Sequence, residues 1–208
     1  MKAGVWRCRW LGAMLGAALL PALAGPACAG WPPQKGQLFP DEGTYVDQDG
    51  NRMKLSRFKG KVLLVEYVGM NCPACQAFSG AQARGAYRGN PVQRGLQSIE
   101  SYFPRYTGGL RLDDPRIVFI QILLYDMQLK APRPADACQW AGHFDLRTAR
   151  QEYVLVPERD MRSQASYNLI PGFQLVDRSF RVRSDSTGHY PRDDLYRTLL
   201  PMAGQIVK

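Results

Sequence analysis

Cys72-Pro73-Ala74-Cys75 sets two thiols two residues apart, directly after an apolar run from Val62 to Val68. That spacing lets the sulfurs close a small disulfide ring. If the pair opens a helix, the helix N-terminus also stabilises a thiolate on the first sulfur. The chemistry on offer is thiol-disulfide exchange, in which the thiolate attacks a disulfide and the second thiol resolves the mixed disulfide. Glu66 lies six residues before Cys72 inside the apolar run. An ionised carboxylate buried there is costly unless paired or protonated, so Glu66 either points to a rim or carries a raised pKa and a task.

Other candidate groups carry less. Cys138 is an odd thiol, expected to be buried in a helix beside Trp140, with a regulatory or intermolecular disulfide as the alternative. His143 and His189 are the only histidines, and neither has a second ligand nearby in sequence, so both are expected to be surface or packing residues.

The elements that must position the cysteines follow from periodicity and turn residues. Val62 to Val68 is β-branched and bounded by glycines, as expected of a central strand buried on both faces. Before it, Thr44 to Asp47 and Arg52 to Leu55 flank Asp49-Gly50, a hairpin signal. From Cys75 a helical pattern runs through Phe78, Ala81 and Ala86, breaks at Gly89-Asn90-Pro91, and is expected to resume from Val92 to Tyr102. Ile117 to Tyr125 reads as a second buried strand, Ala135 to Leu146 as a helix, Tyr153 to Val156 as a short strand, and Met161 to Leu169 as a helical turn. Phe173 to Val176, a turn at Asp177-Arg178-Ser179, and Phe180 to Arg183 read as an antiparallel hairpin. Asp193 or Asp194 should cap a last helix carrying Leu195, Leu199, Leu200 and Met202. The fold class is α/β, with a mixed sheet covered on both faces.

The 208 residues are 45% hydrophobic, enough for one domain with a proper core. Lys2, Arg7 and Arg9, an apolar run from Leu11 to Gly25 interrupted by Pro21, and Ala27-Cys28-Ala29 before Gly30 form a secretory signal. The expected organisation is a signal peptide over 1–29, an extended segment over 30–40 and a domain over 41–208. The destination is periplasmic or secreted. The apolar run is short for an uncleaved anchor, and Pro26 stands where a lipoprotein needs cysteine. Cys8 and Cys28 would leave with the signal. Losing its three cations lowers the formal charge from +9 to +6, and the remaining basic residues are scattered among acids, which argues against a nucleic-acid partner.

With these elements in place the chain resembles the thioredoxin superfamily, in particular its exported redoxin or TlpA-like branch. The resemblance covers about residues 41 to 205. It rests on Gly60-Lys61-Val62-Leu63-Leu64-Val65, on Cys72-Pro73-Ala74-Cys75, on Ile170-Pro171, and on the strand, turn and strand from Phe173 to Val182. It implies a thioredoxin-like fold with an N-terminal β-hairpin and an enlarged first helical segment. It further implies a thiol-disulfide oxidoreductase with Cys72 as exposed nucleophile, Cys75 as buried resolving thiol and Glu66 as proton acceptor. Pro171 would occupy the family's cis-proline position, with Ile170, Pro73 and Ala74 meeting the substrate. The redox-active disulfide Cys72-Cys75 would be the only prosthetic feature, with no separate cofactor. The partners would be protein thiol or disulfide substrates and a redox partner protein, met by a monomer without stable membrane insertion.

This chain departs from the pattern at Asn71, where tryptophan is usual, at Gly172, where threonine commonly follows the cis-proline, and in the length of Gln76 to Arg116. The family pattern leans slightly toward a reductase, although Pro73 also resembles oxidising periplasmic enzymes. Two other classes share part of the signal. Met70-Asn71-Cys72-Pro73-Ala74-Cys75 is similar to the loop of copper carriers, with Cys72, Cys75 and Met70 as soft ligands. A non-catalytic thioredoxin-like binding module would keep the pair as a vestige and dock a partner through the extended helical segment, and the bland reading of the pair is a structural disulfide in an exported protein.

Overall fold

A computed structural model describes residues 30–41 and 43–208. The expected signal peptide, with Cys8 and Cys28, lies outside the described residues. Among the described residues no helix is long and apolar enough to cross a membrane.

The hairpin is β1 (Tyr45–Asp47) and β2 (Arg52–Met53). Its turn is held by Asp47, whose carboxylate accepts from the backbone N–H groups of Asp49 and Asn51 at 2.9 and 2.8 Å. A 3-10 turn, Leu55–Phe58, delivers the chain into β3 (Val62–Gly69), buried along its whole length. Then come α1 (Pro73–Ser79), α2 (Ala81–Arg84), α3 (Ile99–Thr107), β4 (Ile117–Tyr125), α4 (Pro134–Phe144) and β5 (Glu152–Pro157). The chain closes with α5 (Gln164–Tyr167), β6 (Gly172–Val176), β7 (Val182–Thr187) and a π-helical turn, Leu195–Leu199, leading into α6 (Leu200–Ile206).

The seven strands form one mixed sheet in the order β2-β1-β5-β4-β3-β6-β7. β3 runs parallel to β4 and β4 to β5, while β6 is antiparallel to β3 and β7 to β6. Side-chain alternation along β3 divides the core. Val62 and Leu64 pack with Phe119, Phe173 and residues of α1, α3 and α6. Leu63, Val65 and Tyr67 pack with Phe180 and with Phe39 and the half-buried Trp31 of the segment 30–40, an N-terminal strap across this face. By the same alternation Glu66 and Gln121 belong to the helix face, opposite the strap.

Three expectations are corrected. Val92 to Ser98 is not helical: Gly95 takes a φ of +81°, and α3 begins only where the Ser98 hydroxyl accepts from Ser101 N–H at 3.2 Å. The last strand starts two residues late, because Phe180 adopts a φ of +64° in the turn, and it runs on to Thr187. Cys138 is exposed rather than buried beside Trp140, since α4 turns Ala137, Trp140 and Ala141 inward and leaves Cys138 on the outer face. Of the two candidate caps, Asp194 serves, accepting from Tyr196 and Arg197 N–H at 2.8 and 2.7 Å.

Candidate redox site at the start of α1

β3 ends at Gly69, and a tight turn sets Cys72 as the N-cap of α1, with Pro73 in the first turn where a missing N–H costs nothing. The turn is fastened from within. The Gln76 amide donates to Met70 O at 2.9 Å and accepts from Tyr87 N–H at 2.8 Å, all of it buried. Cys72 is half-buried and Cys75 fully buried, and both are free thiols.

Cys72 Sγ accepts from Cys75 N–H at 3.3 Å. Hydrogen bonding from the Cys75 thiol, opposed by burial and helped by the Cys75 and Ala74 N–H groups, lowers the Cys72 pKa to about 7. Burial and the neighbouring Cys72 and Glu66 push the Cys75 thiol well up. The two thiols thereby differ in acidity: Cys72 ionises first and in contact with solvent, while the buried Cys75 thiol holds its proton more tightly.

Glu66 is fully buried, which rules out a rim position and raises its carboxyl well above the ordinary value; hydrogen bonding from Gln121 partly opposes this. Its Oε2 accepts from Gln121 Nε2 at 2.7 Å, while Oε1 is the one buried side-chain N or O atom without a partner among the described residues. Gln121 also donates to Ser79 Oγ at 2.8 Å and accepts from Trp140 Nε1 at 2.9 Å.

The Ile170-Pro171 peptide is cis and sits beside the cysteines. A groove of about 270 Å³ opens there, lined by Cys72, Pro73, Tyr125, Leu129, Tyr167, Ile170, Pro171 and His189. Tyr167 and Leu129 stand half exposed on its rim. Ala74 does not share it, being turned into the core against the helix face. Met70, a ligand in the copper reading, is fully buried in the core.

No protein-family profile matches this chain, and no curated protein matches it. Solved structures do. A crystal structure from Aquifex aeolicus VF5, provisionally assigned as an electron transfer protein, is 13% identical with a TM-score of 0.54, covering 84% of this chain and 99% of its own. A SCO1/SenC family lipoprotein from Bacillus anthracis str. Ames is 12% identical with a TM-score of 0.51, covering 84% and 95%. A solution structure from Bacteroides thetaiotaomicron, provisionally assigned as a protein disulfide isomerase, is 13% identical with a TM-score of 0.50, covering 84% and 90%.

The fold is thioredoxin-like. Within this thioredoxin-like frame, β3 and α1 bring Glu66, Cys72 and Cys75 together, and the loop before β6 adds Ile170 and Pro171. The departure at Gly172 has a steric cause: a side chain there would press within 2.8 Å of Leu169 O and 2.9 Å of Gly188 N, leaving no room for threonine. Sequence reading missed Gln121, Ser79 and Trp140. The available signal was Gln121 itself, the sole strongly polar residue in Ile117 to Tyr125 and the parallel-register partner of Glu66.

Proposed function

We propose that this protein is a thiol-disulfide oxidoreductase that acts on protein substrates in the periplasm or outside the cell and runs in the reducing direction. The observation that carries the reading is the asymmetric pair at the start of α1: Cys72 half-exposed with its pKa lowered to about 7, and Cys75 fully buried with its pKa raised. Cys72 thiolate attacks a client disulfide, forming a mixed disulfide and releasing one client sulfur as a thiolate. Cys75 loses its proton, attacks Cys72 Sγ and releases the second client sulfur. The client gains two electrons, and the protein ends as the Cys72-Cys75 disulfide.

The reducing direction is supported by the resemblance to the exported redoxin or TlpA-like branch, whose members often reduce disulfides, and the lowered Cys72 pKa supplies the thiolate that such a reaction needs. Export is supported by the leader-like composition of the first residues.

Insulin reduction tests the reading. Cys72→Ser should abolish it, Cys75→Ser should accumulate a mixed disulfide with the client, and iodoacetamide labelling of Cys72 should titrate with a midpoint near 7. The redox midpoint should lie nearer to about −270 mV than to about −120 mV. Full reductase activity in Cys72→Ser would sink the proposal.

A further inference from the structure

Gln121 is buried at the middle of β4, in register with Glu66 across the parallel pair. Its amide makes three short hydrogen bonds, and their chemistry fixes its orientation. The indole N–H of Trp140 can only donate, so the amide atom facing it at 2.9 Å must be the oxygen. The NH₂ group therefore faces the other way, giving one hydrogen to Glu66 Oε2 at 2.7 Å and the other to Ser79 Oγ at 2.8 Å. The amide cannot flip without opposing two donors across the Trp140 contact.

Two consequences follow for Glu66. Oε2 is committed as an acceptor in either protonation state, and Oε1, which has no partner among the described residues, is the oxygen left to exchange a proton. Ser79 and Cys75 are four residues apart on α1 and so share one of its faces. The Gln121 bond to Ser79 thus ties the helix carrying the resolving thiol to the carboxyl that takes its proton. One amide sets both partners of the transfer.

We propose that Gln121 is a positioning residue for the resolving step: clamped by Trp140 and Ser79, it holds Glu66 through Oε2 and presents Oε1 to the Cys75 thiol. This rests on the redox reading above and specifies its second half. The Cys75 proton passes to Glu66 Oε1. The sulfur lone pair attacks Cys72 Sγ, the Cys72-to-client S–S bond breaks, and the client sulfur leaves as a thiolate with that bonding pair. Glu66 then returns its proton to water.

The test isolates that half-reaction in the full chain. Cys72 is converted to its mixed disulfide with thionitrobenzoate, and release of thionitrobenzoate by Cys75 is followed against pH. In the wild type the rate should rise with pH through the ionisation of Glu66, and Glu66→Gln should lose that limb. Gln121→Leu removes a hydrogen bond that favours the carboxylate, so the limb should move about one to two units to higher pH, with the rate at neutral pH falling about tenfold or more. The labelling midpoint of Cys72 should stay near that of the wild type. Trp140→Phe, which frees the amide to turn, and Ser79→Ala, which cuts the tie to α1, should each move the limb the same way by less. They carry the test if Gln121→Leu does not fold.

A limb unchanged in folded Gln121→Leu, or in both Trp140→Phe and Ser79→Ala, overturns the positioning role while leaving the redox reading intact. A wild-type mixed disulfide that releases no thionitrobenzoate overturns the redox reading, and this inference with it.

Discussion

Glu66 is a charge-capable group fully shielded from solvent, with one oxygen bonded to Gln121 and the other without a partner among the described residues. Desolvation holds its carboxyl well above the ordinary value, so the folded protein binds this proton more tightly than the unfolded chain does. The sign of the linkage follows. Its contribution to stability is fully present below the unfolded pKa, near 4.5, and is lost as the pH rises toward the folded pKa. Glu66→Gln should therefore be more stable than the wild type at neutral pH and lose that advantage below about pH 4.5. Thermal melts at both pH values check this; a gain of about 1 kcal/mol raises Tm by roughly 2–4 °C in a domain of this size. The same variant should resolve mixed disulfides slowly, so stability and activity move in opposite directions. An unchanged melt at neutral pH would mean that Glu66 is not held protonated by burial. The sequence announced the conflict at Glu66, an acid in an apolar run, but not its solution. The three hydrogen bonds of Gln121 come from β3, α1 and α4, and no local pattern reports partners so far apart in the chain.

Elements with strong periodicity were legible, and those set by single backbone conformations were not. β3 and β4 were readable because a buried parallel pair demands uninterrupted apolar residues, and the hairpin because Asp-Gly allows its turn. Leu96 and Ile99 sit at helical spacing with Phe103, yet Gly95 and the Ser98 cap delay α3 until Ile99, because local side-chain and backbone geometry outweighs a sparse apolar period. The approach of β6 to β7 is equally invisible in sequence. Gly172 pairs with Thr187, and a Cβ on Gly172 would meet the backbone of Thr187 and Gly188 at less than van der Waals distance. Backbone cannot move aside as a side chain can, so Gly172→Thr should cost at least about 1–3 kcal/mol, as overpacking typically does. Urea denaturation should show the lower midpoint with an unchanged slope. The proposed disulfide-exchange activity per folded molecule should also fall, since Gly172 follows Pro171 in the chain. A Gly172→Thr protein as stable as the wild type would mean that the strands can separate there at no cost.

Across the whole molecule, the segment read from sequence only as an extended lead-in proves to be a strap over the face of the sheet opposite α1, α3 and α6. Gly36 and Phe39 N–H donate to Val182 and Phe180 O at 2.8 Å each, and Pro33 O accepts from Gln174, whose amide oxygen in turn accepts from the Tyr67 hydroxyl. At its start the Trp31 ring stands edge-on to Tyr67 at 5.7 Å, and its indole N–H donates to Ser166 Oγ at 2.8 Å. Ser166 lies in α5, four residues before Ile170, so the strap links the sheet under the cysteines to the loop that forms one wall of the groove. Chains starting at Asp41 should therefore lose more than the apolar burial of Trp31 and Phe39, which accounts for roughly 2–4 kcal/mol. Hydrogen exchange should speed up selectively between Ser163 and Gly172 while β3 and β4 stay protected. Trp31→Phe separates the two contributions: keeping the ring but not its N–H, it should retain most of the stability and still loosen the loop. Equal protection of Ser163 to Gly172 in wild type, Trp31→Phe and truncated chains would show that the loop is held by β6 alone, and that the strap only covers the sheet.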